Sequence, residues 1–236
     1  MVFKKSKKKH AVYALITASV CLVLAGCLLL ASNAWSSASS LPQLITSYDA
    51  KHHIKYVKFS DISPFSRQAA VASQDERFYY NLGIDVLGTF RAILLTIFTN
   101  QRQGASTIPE QLAKNVFFEG QDNLHTDIQT KILAPFVVFN FSKDSILEMY
   151  LNVIYFGRSS YGISNASSVY FQTTPDKLSL AQAAYLLGLI NAPTYLSKHP
   201  KASIFQAELV LGEMQKDGKI TSQQENEAEN ALQNIH

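Results

Sequence analysis

Apolar residues recur three and four positions apart along most of this chain, and no stretch alternates between apolar and polar residues for the length of a strand. Ser63 and Pro64 form the cap and first-turn pair that begins a helix, which we expect to run to about Tyr79. The next predicted helix, Asp85–Phe98, is apolar over most of its circumference, as a fully buried or lipid-contacting helix is. Between the N-terminus and these helices, His53–Phe59 is rich in β-branched and aromatic residues and predicts one short extended segment.

Cap residues place further helices in the second half of the chain. Ser179–Gln182 and Thr221–Gln224 fit the capping box, in which a hydroxyl and a side-chain amide each bond a backbone N–H group of the other residue. We expect a helix after each of these motifs and another over Ser203–Lys216. A further helix begins at Ser142, and its inner face carries five apolar residues: Ile146, Leu147, Tyr150, Leu151 and Ile154. The predicted fold class is mainly α-helical.

The N-terminal segment has the composition of a membrane anchor. Residues 1–10 contain lysines at positions 4, 5, 7, 8 and 9 and no acidic residue, and residues 11–32 carry no charge. A helix over this apolar run reaches roughly 30 Å, the thickness of one bilayer core. The lysines place the N-terminus in the cytoplasm, and Trp35 lies where an interfacial aromatic residue belongs. We therefore predict a cytoplasmic tail (1–10), one transmembrane helix (11–32), a Ser/Ala-rich linker (33–53) and an extracytoplasmic domain (54–236).

Two other interpretations of the apolar segment remain open. A cleaved signal peptide is one, although its apolar core is usually shorter than this run. Lipidation of Cys27 is the other, because Leu24–Cys27 resembles a lipoprotein processing site, but the run stays apolar through Ala31 where a lipoprotein turns polar. Cys21 and Cys27 are the only cysteines of the chain, so the predicted outer domain has no disulfide and no cysteine metal ligand.

The charge of the predicted outer domain does not favour nucleic-acid binding. The whole chain has 21 Lys and Arg residues against 18 Asp and Glu residues, for a net charge of +3. Without the five N-terminal lysines the balance falls to about −2, which is the opposite of a nucleic-acid-binding footprint. His52 and His53 are adjacent, but no third metal ligand lies near them in the sequence, so we interpret them as solvated side chains.

The stretch Gly104–Asn115 carries the strongest local signal. Ser106 and Thr107 follow a Gly-Ala turn, and either hydroxyl can cap a helix. Thr107 and Glu110 have the spacing of a capping box. The free N–H groups of a helix start, the two hydroxyls and Lys114 one turn later would suit an anion, although the same residues also fit an ordinary capped helix.

This stretch resembles the motif G-x-S-T-I-T-Q-Q-L-x-K-N of the peptidoglycan glycosyltransferases (glycosyltransferase family 51), which polymerise lipid II into glycan strands. The resemblance extends from about Ile54 to the C-terminus, with the motifs in the family's order. It implies a lysozyme-like helical lobe with a membrane-proximal jaw around Asp85–Phe98, located at the bacterial cell membrane. It also implies a divalent cation near the pyrophosphate and partners among cell-wall synthesis or division proteins. No Ser-x-x-Lys motif occurs outside the N-terminal lysine run, so we expect a monofunctional protein.

The family's base motif, E-D-x-x-F-x-x-H-x-G, matches Gln74–Gly83 with two replacements, since Gln74 occupies the glutamate position and Asn81 the histidine position. Three of its residues are retained: Asp75, Phe78 and Gly83. The resemblance implies that position 74 deprotonates the acceptor hydroxyl, and an amide has no titratable group near neutral pH. On the predicted helix Asp75 and Glu76 would point about 100° and 200° away from Gln74, so neither is expected to replace the base.

Positions that the resemblance places near the pyrophosphate are also changed. Pro109 and Glu110 replace family residues, and we expect the carboxylate of Glu110 to repel a pyrophosphate. The family motif R-K-x-x-E aligns with Thr126–Thr130, which has no arginine, lysine or glutamate, so Thr130 occupies the second glutamate position. The later motifs, which hold the lobe together, are intact.

The resemblance therefore implies no intact catalytic residue, but it implies retained substrate-binding residues: Asp75, Phe78, Ser106, Thr107, Gln111, Lys114 and Asn115. We interpret the chain as a membrane-anchored, catalytically degenerate transglycosylase homologue that binds lipid II, glycan or partner proteins. The alternative is an active lipid II polymerase that uses displaced groups such as Asp75, Glu76 or Lys131. A lysozyme-like hydrolase is a third interpretation, and it also requires an acid at position 74.

Overall fold

The computed structural model describes residues 31–85 and 106–235, together with the isolated positions 19, 26, 28, 29 and 88. Apart from a single bridge between Tyr155 and Tyr161, these residues contain no β-structure, which confirms the predicted mainly α-helical class. Residues 31–39 are helical, and short 3₁₀ turns lie at Phe59–Asp61 and Pro175–Lys177. The remaining helices are α1 (Leu41–His52), α2 (Pro64–Gln74), α3 (Ile108–Phe118), α4 (Leu124–Asn140), α5 (Lys143–Val153), α6 (Gly162–Phe171), α7 (Leu180–Leu189), α8 (Pro193–Leu196), α9 (Pro200–Lys216) and α10 (Ser222–Leu232).

Helix α7 is the central helix of the fold. It is almost entirely buried, and α2, α9 and α10 pack around it. A Cβ atom at Gly188 would lie 3.0 Å from the backbone nitrogen of Ala207, so the absence of a side chain lets α9 cross α7 closely. A second group consists of α3 with α4 and α5, and α1 lies against α3 and α5. Both groups contribute to one hydrophobic core.

The predicted caps in the second half of the chain are confirmed. The hydroxyl of Ser142 accepts a hydrogen bond from the backbone N–H of Ser145, and the capping boxes at Ser179 and Thr221 are complete. Each of these signals is local, since it depends only on residues within one turn. Helix α9 begins at Pro200, three residues before the predicted start, because proline is favoured in the first turn of a helix.

The prediction that the helix after Ser63 runs to about Tyr79 is wrong. Helix α2 ends at Gln74, and Asp75 has non-helical backbone angles (φ −161°, ψ 77°). The carboxylate of Asp75 accepts a hydrogen bond from the backbone N–H of Ile108 at the start of α3. This contact between distant segments holds residue 75 out of the helix, so neither Asp75 nor Glu76 projects from α2.

The segment predicted to be a linker is helical and packed. Leu41, Ile45 and Tyr48 of α1 are buried in the core, and Ala34 packs against Ala113 and Leu133 of the α3–α4 pair. Within the Ser/Ala-rich stretch Ala34 and Ala38 are buried while Ser36 and Ser39 are exposed, so this segment is an amphipathic helix and the interpretation as a polar linker is corrected.

The predicted extended segment lies between α1 and α2, but it has no strand partner. Side chains of α5 take the place of one. Asn152 accepts a hydrogen bond from the Val57 N–H (2.8 Å) and donates one to the Val57 carbonyl (2.9 Å), while Glu148 accepts from the Phe59 N–H (2.6 Å). Asn152 is fully buried, so its amide satisfies a segment that would otherwise leave backbone groups unpaired.

Two predicted elements fall on residues that the structure does not describe. The transmembrane helix over 11–32 and the apolar helix Asp85–Phe98 lie almost entirely outside the described residues, as does the basic tail. Within the described part of the chain, no helix combines the length and the hydropathy needed to cross a membrane.

Candidate functional site

A cleft of about 970 Å³ opens between the two helix groups. The C-terminal end of α2 and the first turns of α3 line one side of it, and the C-terminal ends of α1 and α9 line the others. Six of the seven positions that the family resemblance assigns to substrate binding line this cleft: Asp75, Ser106, Thr107, Gln111, Lys114 and Asn115. Gln74 also lines it, so segments that are far apart in sequence meet here as the motif order implied.

Gln74 belongs to a chain of uncharged hydrogen-bonding groups. Tyr150 donates its hydroxyl proton to Gln111 Oε1 (3.1 Å), Gln111 Nε2 donates to Gln74 Oε1 (3.3 Å), and Gln74 Nε2 donates to Ser73 Oγ (3.2 Å). Burial raises the pKa of Tyr150 well above its ordinary value, so its hydroxyl remains a donor. The position that the motif assigns to a carboxylate base therefore holds an amide with both of its polar atoms engaged.

Asp75 holds the loop after α2 against the start of α3. One carboxylate oxygen accepts from Asn81 Nδ2 (2.8 Å) and the other from the Ile108 N–H (3.2 Å). Burial raises the pKa of Asp75, although these two hydrogen bonds act in the opposite direction. Asn81 Oδ1 in turn accepts from the Gly83 N–H (3.0 Å), and Thr107 donates its hydroxyl proton to the Gly83 carbonyl (2.6 Å). Asp75 thus lines the cleft with both oxygens already occupied.

Glu110 does not face the cleft, so the prediction that it repels a pyrophosphate there is wrong. Its side chain is 2% exposed and pairs with Lys131 of α4, with Nζ 2.7 Å from Oε2. The predicted capping box is only half formed, because Thr107 accepts from the Glu110 N–H while the Glu110 carboxylate turns to Lys131. Burial raises the pKa of Glu110 and the contact with Lys131 lowers it.

Lys114 reaches the cleft but is bound by two carboxylates. Its Nζ lies 2.5 Å from Asp122 and 3.1 Å from Asp127. Burial lowers the pKa of Lys114, and the two hydrogen-bonded carboxylates raise it by more, so the group stays charged. The predicted anion site therefore contains the expected cation, already matched by anions of the protein.

The other cationic side chains that line the described part of the cleft are Arg77, which is paired, and Lys216, which lies near a carboxylate. Arg77 donates two hydrogen bonds to Asp85, at 3.2 and 2.7 Å, and Lys216 lies 4.0 Å from Glu76. Near Lys216, burial raises the pKa of Glu213 to about 7, and the neighbouring carboxylate of Asp217 adds to the shift. Among the lining residues that the structure describes, seven carry a carboxylate and three a cation.

One end of the cleft is aromatic. The rings of His52 and Tyr161 stack with centroids 4.0 Å apart, and Tyr155 lies 4.7 Å from Tyr161. The Tyr48 ring also contacts His52, with centroids 4.3 Å apart, and lies edge-on to Tyr161 at 6.2 Å. Burial lowers the pKa of His52, with Lys51 adding to the shift, so the imidazole is neutral near neutral pH. The interpretation of His52 as a solvated side chain is corrected. Tyr48 lies one helical turn before His52, but Tyr161 lies 109 positions after it, so the sequence alone did not reveal the stack.

Two positions taken from the motifs do not line the cleft. Phe78 is fully buried, and Lys143 lies over its ring at 4.8 Å, so it supports the loop rather than contacting a ligand. Thr130 is buried and donates its hydroxyl proton to the Asp127 carbonyl within α4. No group of three His, Cys, Asp or Glu side chains in the described ranges is placed to hold a metal ion.

A sequence model of the transglycosylase family matches residues 42–215, most of the chain. The chain belongs to the transglycosylase family. This confirms the resemblance to the peptidoglycan glycosyltransferases that the motifs indicated.

Transglycosylase relatives include penicillin-binding protein 1A of Escherichia coli (strain K12), which is 38% identical over 185 residues, and that of Neisseria lactamica, 35% identical over 179 residues. These matches cover 77% and 75% of this chain but 22% of each relative, so the chain spans about a fifth of their length. A crystal structure of penicillin-binding protein 1A from Haemophilus influenzae has 27% identity and a TM-score of 0.36, covering 51% of this chain and 16% of that one.

Replacing Lys131 with methionine is expected to destabilise this transglycosylase domain by about 3 kcal/mol, because Glu110 would be left as a buried charge without its partner. Chemical denaturation of the purified protein measures the effect. The double variant Glu110→Gln/Lys131→Met removes both charges and should recover most of the loss. Equal stability of Lys131→Met and the wild type would contradict a stabilising role for the pair.

Proposed function

We propose that this transglycosylase homologue does not polymerise lipid II and acts in cell-wall synthesis by binding lipid II or glycan strands in the cleft, or by docking onto partner proteins. The proposal places a single-pass, monofunctional protein at the bacterial cell membrane, with its N-terminus in the cytoplasm and a lysozyme-like lobe outside. The observation that carries it is the amide of Gln74, hydrogen-bonded to Gln111 and Ser73 where the family motif requires a base.

Polymerisation requires a carboxylate that removes the proton of the acceptor hydroxyl as this oxygen attacks the donor sugar. The side-chain amide of Gln74 cannot remove this proton, because it has no basic group near neutral pH. The loss of a general base typically lowers a rate by 10²–10⁴-fold. The cleft can still hold a ligand, because binding needs only matching shape and hydrogen bonds.

The alternative of an active polymerase with displaced groups has weak support from the geometry. Asp75 and Glu76 do line the cleft, contrary to the expectation based on a longer helix. However, both oxygens of Asp75 accept hydrogen bonds from the protein, and Lys131 pairs with Glu110 away from the cleft. Glu76 is the remaining candidate base, and its contact is with Lys216 at 4.0 Å.

Titration of the full-length, detergent-solubilised protein with labelled lipid II tests this proposal when binding and glycan formation are followed together. We expect saturable binding and a polymerisation rate at least 10²-fold below that of an active family member assayed in parallel. Polymer at ordinary rates would refute the proposal. A Glu76→Gln variant would then show whether that carboxylate serves as the base.

A further inference from the structure

We propose that a groove along α2, separate from the cleft, binds an acidic peptide segment of a partner protein. The carboxylate of the peptide would pair with Arg67, and a neighbouring apolar side chain of the peptide would pack against Phe59. This inference rests on the part of the proposed function in which the chain docks onto partner proteins. It names the surface that docks and the chemistry of the partner.

The groove is a cavity of about 260 Å³ that shares no lining residue with the cleft. One face of α2 forms its floor through Pro64, Arg67 and Val71, which are spaced as neighbours on a helix. Four other segments contribute the remaining residues that matter here: Phe59, Tyr79, Asp144 and Lys219. The volume lies below the usual range of small-molecule sites, so the groove suits one or two side chains of a peptide.

Arg67 is positioned for a carboxylate. Its guanidinium carbon lies over the Phe59 ring, 4.4 Å from the centroid. A guanidinium held by an aromatic face keeps the N–H donors at its edge available, and these match the two oxygens of a carboxylate. Within the described residues, neither Arg67 nor Lys219 forms an ion pair or a side-chain hydrogen bond, so the donors of both cations are unused.

The carboxylate that lines the groove is already engaged. Asp144 accepts a hydrogen bond from the Tyr79 hydroxyl (3.0 Å). Burial raises the pKa of Tyr79 to about 12, and the hydrogen bond to Asp144 adds to the shift, so the phenol remains a donor. Arg67 and Lys219 together outweigh this one negative charge, and the groove therefore complements an acidic ligand.

The apolar part of the groove favours a peptide over a simple anion. Phe59, Pro64 and Val71 lie beside the two cations and offer nothing to an inorganic phosphate. A peptide with an acidic residue next to an aromatic or aliphatic residue uses both surfaces, as an apolar anchor beside a charge-assisted hydrogen bond. Tyr79 is 48% exposed, so the phenol ring is accessible to the same peptide.

A peptide in this groove would lie next to the cleft without entering it. It would contact α2, which ends at Gln74, and the loop after α2, which carries both Tyr79 of the groove and Asp75 of the cleft. The lipid II or glycan site and the partner site could therefore be occupied together.

The first test selects short random peptides by phage display on the full-length, detergent-solubilised protein. We expect the enriched peptides to carry Asp or Glu beside Phe, Tyr or Leu. A synthetic copy of one such peptide, capped at both ends, should bind with an affinity that falls as the salt concentration rises. No enrichment, or enriched peptides without an acidic residue, would overturn the inference.

Variants of Arg67 locate the capped peptide. Arg67→Ala should weaken its binding at least tenfold, and Arg67→Lys, which keeps the charge without the planar donors, should weaken it several-fold. Arg158→Ala is the matched control, because Arg158 lies over the Tyr170 ring at 4.7 Å outside the groove, and its peptide affinity should be unchanged. Equal affinity of Arg67→Ala and the wild type would overturn the inference.

Charge reversal provides a gain of binding that misfolding cannot mimic. Arg67→Glu should lose the acidic peptide and bind a copy in which lysine replaces the acidic residue. Failure of Arg67→Glu to bind the lysine peptide, with a normal unfolding midpoint, would count against a direct pairing at position 67.

Two other occupants of the groove are outcomes of the same experiments. Self-association in sedimentation that Arg67→Glu abolishes, without peptide binding, would assign the groove to a second copy of this chain and overturn the inference. Arg67-dependent binding to vesicles of anionic phospholipid, without peptide binding, would also overturn it. Glycan formation from lipid II by the wild type would refute the proposed loss of polymerisation and leave the peptide result unchanged, so the two failures are distinguishable.

Discussion

Combining Gln74→Glu with Asp122→Asn and Asp127→Asn is expected to raise lipid II polymerisation at least 100-fold above the wild type, while Gln74→Glu alone gives less than about a tenfold gain. The glutamate supplies the missing base beside Gln111. The two asparagines release Lys114, which can then take up charge that grows on the departing pyrophosphate. Gel separation of labelled glycan products after reaction with lipid II measures the rates.

The matched control introduces the carboxylate at position 111, whose side chain is hydrogen-bonded to Gln74. Gln111→Glu in the same Asp122→Asn/Asp127→Asn background adds the same charge to the cleft, but at the neighbouring side chain, 3.3 Å from Gln74. Its polymerisation should stay at the wild-type level. Equal gains from both glutamates would show that the position of the base does not limit the reaction. Thr130→Glu is not expected to help, because Thr130 is buried within α4 and does not line the cleft.

Gly83→Ala is expected to destabilise the fold by about 3–5 kcal/mol. Gly83 has a φ of 95°, and a Cβ atom there would lie 2.6 Å from the backbone carbon and oxygen of Ala134 and 2.8 Å from the nitrogen of Pro135. These are backbone atoms of α4, so no side-chain rotation relieves the overlap. Chemical denaturation gives the change in the free energy of unfolding.

Gly218→Ala separates backbone strain from steric overlap. Gly218 has a φ of 66°, but no atom lies within 4 Å of the Cβ position. The control should therefore cost only about 1–2 kcal/mol, the penalty of a left-handed backbone. If both alanine variants lower the free energy of unfolding equally, the close approach of Gly83 to the backbone of α4 does not contribute to the stability of the fold.

The helix starts and the fold class could be predicted because their signals are local. Caps at Ser63, Ser142, Ser179 and Thr221 depend on residues within a single turn, and all four form as expected. The end of α2 could not be predicted from local signals. Residue 75 is held out of the helix by a hydrogen bond between Asp75 and Ile108, which are 33 positions apart.

The sequence motifs predicted which segments would lie close together, but not how their charged side chains would be paired. Motif order brought Gln74, Gln111 and Lys114 together, as the cleft shows. The pairing of Glu110 with Lys131, and of Lys114 with Asp127, joins two different helices, and no periodicity along the chain specifies which charges meet. The orientation of Glu110 therefore required the packing of α3 against α4 to be known.

The two helical segments before residues 54–59 fix the position of the cleft relative to the N-terminal part of the chain. Residues 31–39 and α1 pack against the lobe through Ala34, Leu41 and Ile45, so this stretch is a rigid connection and not a flexible linker. If the residues before it cross the bilayer as the sequence predicts, the lobe and its anchor would tilt and diffuse as one body. The cleft would then sample a narrow range of heights above the lipid surface, and a glycan strand would have to pass within that range to be captured.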